Sequence, residues 1–207
     1  AAGAACARKF LPAVGRLLYR HPLEKEQAAA LVKEAGEVAG RLEDFYAGIA
    51  YVLEGMLMGP EMLLIAESSE SDPKRPDIRR LDAHSLATRL SLFLWNAAPD
   101  SQLLDAAERG ELQTTAGRAR IVDMMLASPH LETGVRAFFD DMFGFDDFQT
   151  LAKDAETYPF FTGATAADAR EQTLRTIVDH LVGENGDYRD LFTTRKTFMT
   201  TALAPVY

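Results

Sequence analysis

LDAHSLATRLSLFLWNAAPDSQLLDAAERGEL, residues 81–112, decides the fold. It reads as two helices joined by a tight elbow. Asp82 is a good N-cap, because its carboxylate can accept a bond from an amide left unpaired in the first turn. Leu86, Leu90, Phe93 and Leu94 recur at helical spacing and predict one apolar face. The run Asn96–Asp100 ends that helix, since Pro99 disfavours helical backbone at Ala98 and cannot donate to the preceding turn. Asp100 is placed to cap a second helix carrying Leu103, Leu104 and Ala107, and Gly110 to stop it. Trp95 stands at the corner. Its expected role is packing across the elbow, with the indole nitrogen bonded to backbone. Stacking on a cofactor is the sharper alternative.

Helical patterns continue on both sides. Upstream they cover about 5–19 (Phe10, Leu11, Val14, Leu17, Leu18), with a regular start expected at Pro12. Others run over about 24–41, and from Asp44 to the Gly59-Pro60 break. Residues 68–80, SSESDPKRPDIRR, combine two prolines, three serines and many charges, and read as a linker. Downstream, helices are expected from Thr114 or Thr115 to Ala127 and from a Ser128 cap, with Pro129 at the first position, through Phe143. A last long helix is expected from a Thr165 cap to Gly183. Residues 144–163 are irregular, aromatic and acidic. No stretch alternates with period two for long enough to argue a sheet. The expected fold is all-α: a multi-helix bundle of about eight helices in two packed modules, 1–67 and 81–207, with 68–80 as the linker.

A chain of 207 residues can bury roughly 70% of the surface it exposes when unfolded, so it needs no staples. The net charge is −9, from 22 basic and 31 acidic residues. That argues against nucleic acid, which requires a basic face, and against anionic membrane surfaces. Charge balances over residues 1–60, and the acidic excess lies beyond them. Asp140, Asp141, Asp146, Asp147, Asp154 and Glu156 crowd one stretch that holds a single base, Lys153. The one cysteine, Cys6, leaves no internal disulfide and no haem-attachment motif. The opening AAGAACARKF has no signal-peptide pattern. The most apolar segment, Gly48–Ala66, is broken by Glu54, Pro60 and Glu61, and is too polar to span a membrane.

The candidate chemistry rests on a few residues. His180 and Glu184 are four apart on one helix face, a spacing that suits a metal pair, an oriented base or an ion pair. His130, with Glu132 nearby, lies in the first turn of its helix, and His84 does so after Asp82. Both histidines suit capping or surface positions better than ligation. Asp140 and Asp141 follow two phenylalanines, so a partly buried carboxyl with a raised pKa, capable of acid–base work, is conceivable there. The acidic stretch from Asp140 to Glu156 could hold calcium, although it lacks the order of an EF-hand loop, and a solvated face is the default. No nucleophile–base pair or phosphate loop is visible.

The pieces LATRLSLFLWNAAPDSQLLDAAERGEL, MLASPH, ETYPFF and DLFTTRKTFMTTALAPVY resemble a bacterial domain of unknown function catalogued under the number fifteen-ninety-two, over residues 81–207. CARKFLPAVGRLLYRHPLEKEQ and FYAGIAYVLEGMLMGPEMLLIAE resemble its usual upstream neighbour, catalogued as fifteen-ninety-five, over residues 5–67. That family occurs in long exported proteins of planctomycetes and myxobacteria-like bacteria, often with a c-type cytochrome domain. The resemblance implies a periplasmic or extracellular location. It also implies a chain that is a fragment, a processed subunit or the ordered part of a larger protein. No cofactor is expected within the chain itself; a haem c in the parent protein or a partner chain is what the resemblance allows. The family often carries Gln-Trp-Leu late in the Phe-rich helix, where this chain has FFDDMFGF, residues 138–145. Two functional expectations follow. One is a scaffold or interaction module contacting other domains or subunits. The other is one wall of an active site in an exported oxidoreductase or hydrolase, using Asp140, Asp141, His130 or His180.

Overall fold

The computed structural model describes residues 2–207. The fold is all-α, with nine α-helices among the described residues and one small hairpin. They are α1 (Ala2–Tyr19), α2 (Lys25–Leu42), α3 (Phe45–Met58), α4 (Pro60–Leu63), α5 (Ala83–Trp95), α6 (Ser101–Glu108), α7 (Thr115–Leu126), α8 (His130–Phe143) and α9 (Gly163–Val178). The hairpin is β1 (Ser69–Asp72) and β2 (Arg75–Leu81). The chain packs as two compact units. The first takes the chain up to Leu92 together with Ala97–Asp123, and the second takes Phe93–Asn96 with Met124–Tyr207.

The first unit is built on α1 to α3. Ala7, Leu11 and Tyr19 share a buried stripe on α1 and meet Ala35, Val52 and Met56. The helix runs straight through Pro12, where a start was expected. Ala7 and Leu11 are buried at a spacing of four, so burial of the first turns outweighs the one backbone bond that a proline removes. α2 and α3 approach closely at Gly48, where a Cβ would lie 2.3 Å from the Ala35 carbonyl oxygen. The Asp44 carboxylate caps α3 by accepting from Tyr46 N and Ala47 N.

Residues 68–80, expected as a linker, fold instead as an antiparallel hairpin inside this unit. Pro73 follows Asp72, whose Oδ1 accepts from Lys74 N at 2.8 Å, so the turn is closed by its own side chain. Arg80 pairs with Glu70 across the strands. The strands are mostly exposed, which is why no period-two alternation marks them.

The elbow forms as expected at its caps. Asp82 Oδ1 accepts from Ser85 N at 2.7 Å, and Asp100 Oδ1 accepts from Leu103 N at 2.8 Å. Gly110, at φ 71°, ends α6 in the left-handed region. The inward face of α5 differs in phase from the expected one. Ala87, Thr88, Ser91 and Trp95 are buried, whereas Phe93 is 73% exposed. The buried positions there are mostly small, so the bulkiest residues do not mark the face.

In the second unit, α8 and α9 pack Phe139, Phe145, Leu174 and Ile177 together. Trp95 is 2% exposed, and its indole nitrogen donates to the Met125 carbonyl at 3.0 Å, the backbone bond expected of it. Gly134 lets α8 run against the end of α5: a Cβ there would lie 2.0 Å from the Leu94 carbonyl oxygen. Phe138, Met142 and Phe143 of α8 are exposed. The cap of α9 is Thr162 rather than Thr165. The Thr162 hydroxyl accepts from Thr165 N, and the Thr165 hydroxyl accepts from Thr162 N, a reciprocal capping box.

Candidate functional site

The residues singled out in the second unit do not converge. His130 is exposed in the first turn of α8, with its ring centroid 5.4 Å from that of Trp95. Its backbone N–H donates to the Ser128 hydroxyl at 3.3 Å. Asp140 lies ten residues further along the same helix, about 15 Å away along the axis. Arg170 on α9 grips Asp140 with two bonds, Nε to Oδ1 at 2.6 Å and Nη2 to Oδ2 at 2.8 Å. That guanidinium holds the Asp140 carboxyl below the usual carboxylate range, with Arg136 adding to the effect. The group is thus an ionised acceptor, not the raised-pKa acid that two flanking phenylalanines suggested. Asp141 is exposed. In the acidic stretch, Asp154 accepts from Thr157 N at 2.8 Å and closes a local turn.

His180 and Glu184 sit where α9 widens into a π-helical turn, Asp179–Gly183, in which Glu184 N donates to the Asp179 carbonyl. His180 Nδ1 lies 3.7 Å from Glu184 Oε2, and its Nε2 lies 2.9 Å from the Asp187 carbonyl oxygen. Gly186 packs flat on the imidazole, since a Cβ there would meet the ring at 2.5 Å. Lys196 binds both Asp179 and Glu184, and these two carboxylates push its pKa up. The imidazole Nε2 and the Glu184 carboxylate already have partners. Among the described residues no three His, Cys, Asp or Glu groups come together to hold a metal ion.

A cleft of about 500 Å³ in the first unit gathers Tyr19, His21, Glu61, Asp82, His84 and Ser85. Arg20 builds its floor. With φ at 65°, it turns the chain out of α1 and donates to the carbonyls of Glu61 and Leu64 at 2.6 and 2.8 Å. Ser85 is buried, and its hydroxyl accepts from Ser68 N at 2.8 Å. His84 is half-buried, and its Nε2 is enclosed without a partner among the described residues. Burial pushes the His84 pKa down, against the opposing pull of Asp82, so the ring stays neutral. Burial, with Glu61, raises the Tyr19 phenol. By sequence alone His84 suits a capping or surface position. The readable signal was the helix phase, because the small residues Ala87, Thr88 and Ser91 mark the buried side of α5.

A second feature of this unit is apolar. Leu57, Met58, Leu63, Leu64 and Ile65 are 48%, 76%, 68%, 61% and 60% exposed. They belong to the end of α3, to α4 and to the residues just after it.

With this geometry in hand, residues 81–207 match the family described as PSD4, protein of unknown function (DUF1592). No curated protein and no solved structure matches the chain.

Proposed function

The match spans most of the chain, which therefore belongs to the PSD4 (DUF1592) family, and on that premise we propose that it is a helical scaffold and docking module of a larger exported, cytochrome-associated protein or complex. The carrying observation is the run Leu57 to Ile65, in which five large apolar side chains face solvent within one short segment. Contiguous exposed apolar surface of this kind marks interaction sites in folded proteins. Export, the cytochrome association and an upstream partner domain at residues 5–67 rest on the family resemblance. No helix among the described residues is long and apolar enough to cross a membrane.

The test is to isolate the native protein under mild conditions and measure its mass in solution and its visible absorption. An assembly larger than the chain, carrying a haem band, is the expected result. Met58→Glu combined with Leu64→Glu releases the chain from that assembly without lowering its melting temperature. A monomer with neither partner nor haem overturns the reading.

A second reading, a role in an active site, is favoured by the partnerless Nε2 of His84 beside Tyr19 and Ser85. A neutral imidazole in a cleft is suited to proton transfer. His84→Gln and Tyr19→Phe then abolish the activity of the full-length protein while leaving it folded, and unchanged activity in both removes this reading. The same ring gives a pH signature. Its folded pKa lies below the unfolded value of about 6.5, so on acidification the unfolded chain binds the proton first. Stability therefore falls as pH drops through about 6.5, and His84→Gln removes that part of the slope.

A further inference from the structure

The second unit contains a pocket of about 410 Å³ between the C-terminal half of α8, α9 and the segment 188–197. Its size falls within the range of small-molecule sites. Four rings make one continuous wall. Phe139 stacks with Phe143 (centroids 5.8 Å, planes 29° apart) and with Tyr188 (6.1 Å, 25°). Phe192 meets Tyr188 edge-on at 5.4 Å. The wall grades from buried to open: Phe139 is 5% exposed and Phe192 at the lip is 70%. Ile177 closes the inner side. Three rings set within 30° of their neighbours present a surface for another flat ring.

The polar groups around this wall are mostly committed. The Gln172 amide donates to the Phe198 carbonyl at 2.5 Å and accepts from the Tyr207 hydroxyl at 2.9 Å. Thr173 and Thr176 donate to carbonyls of their own helix. Lys196 is held by Asp179 and Glu184. Arg195 is exposed and has no side-chain bond or ion pair among the described residues. No Asp or Glu side chain lines the pocket, in a chain of net charge −9. The side-chain charge offered to an occupant is therefore positive, and Arg195 carries it.

We propose that this pocket binds a small planar aromatic acid, with its rings against Phe139, Phe143, Tyr188 and Phe192 and its anionic group on Arg195. A guanidinium is well matched to a carboxylate or sulfonate, because its N–H fork meets two oxygens at once.

Two fluorescent probes that share a ring system test this on the intact chain: 8-anilinonaphthalene-1-sulfonate, and N-phenyl-1-naphthylamine, which lacks the sulfonate. The expected result is saturable one-to-one binding of the sulfonate. Arg195→Glu weakens it by roughly tenfold or more, as for loss of a charge-assisted contact, and leaves the neutral probe within about twofold. Phe192→Ala weakens both probes. Arg195 and Phe192 are exposed, so both variants keep the melting temperature of the parent, which separates a lost site from a lost fold. Non-saturable binding overturns the proposal. So does a sulfonate affinity that ignores Arg195→Glu, or a loss that is equal for the two probes.

Discussion

The Trp95 corner and the end of α9 lie in the same unit, and each places a histidine beside a partner, but they are held by different forces. At the corner, Trp95 is almost wholly buried, its indole nitrogen is bonded to Met125, and Gly134 admits the Leu94 carbonyl where no side chain would fit. At the end of α9, His180, Glu184, Lys196 and Asp179 are tied by ion pairs and carbonyl contacts at a partly exposed surface. Close packing admits one arrangement, because any displacement opens a void or forces a clash. Exposed ion pairs exchange partners with water at little cost. The Trp95 corner is thus the rigid frame of the unit, and the ionic residues at the end of α9 sit on its adjustable margin.

The sharpest way to break this comparison is Trp95→Ala. Removing a large buried aromatic costs about 3–5 kcal/mol, read as a lower denaturant midpoint. A loss below about 1 kcal/mol would show that the corner does not carry the unit, because surface substitutions already fall within that range. Gly134→Ala attacks the same frame from the other side. Its new methyl meets backbone rather than a movable side chain, so the cost of overpacking is about 1–3 kcal/mol, seen in thermal unfolding.

The contrast also explains what could be read before the structure. Elbow caps at Asp82 and Asp100 and the stop at Gly110 are local, requiring only a side chain and the next few amides, so their residue types announce them. Buried faces that use small residues are harder. On α5 the eye follows Leu86, Leu90 and Phe93, while the buried row is Ala87, Thr88, Ser91 and Trp95. The hairpin at 69–81 is solvated on both faces, which erases alternation and leaves only the Asp72-Pro73 turn as a signal. The His84 cleft joins residues from Tyr19 to Thr88, and no spacing rule links such distant positions. The lowered carboxyl pKa of Asp140 depends on Arg170, thirty residues away on another helix.

That pair gives an intermediate case, a bidentate bond that is half-buried rather than buried or exposed. Asp140→Asn costs about 1 kcal/mol at neutral pH, the upper end for partly solvated ion pairs. The sign with pH is fixed by the depressed carboxyl. The stabilisation is complete above the unfolded value of about 3.9 and disappears as pH falls through the lower folded value. Wild type and Asp140→Asn therefore converge in strong acid. If the gap persists there, the asparagine has disturbed packing and not charge.

The smallest effect is expected where the charges are densest. Lys196→Met removes the cation shared by Asp179 and Glu184, yet all three side chains are at least one-third exposed. Water replaces what the ammonium supplied, so the unfolding free energy barely changes, and less still in high salt. The substitution should act locally instead. Without Lys196, Glu184 is left to His180 alone, 3.7 Å away. The expected result is little change in melting temperature for Lys196→Met. A fall in stability as large as that of Gly134→Ala would place the end of α9 with the rigid frame and erase the distinction between the two regions.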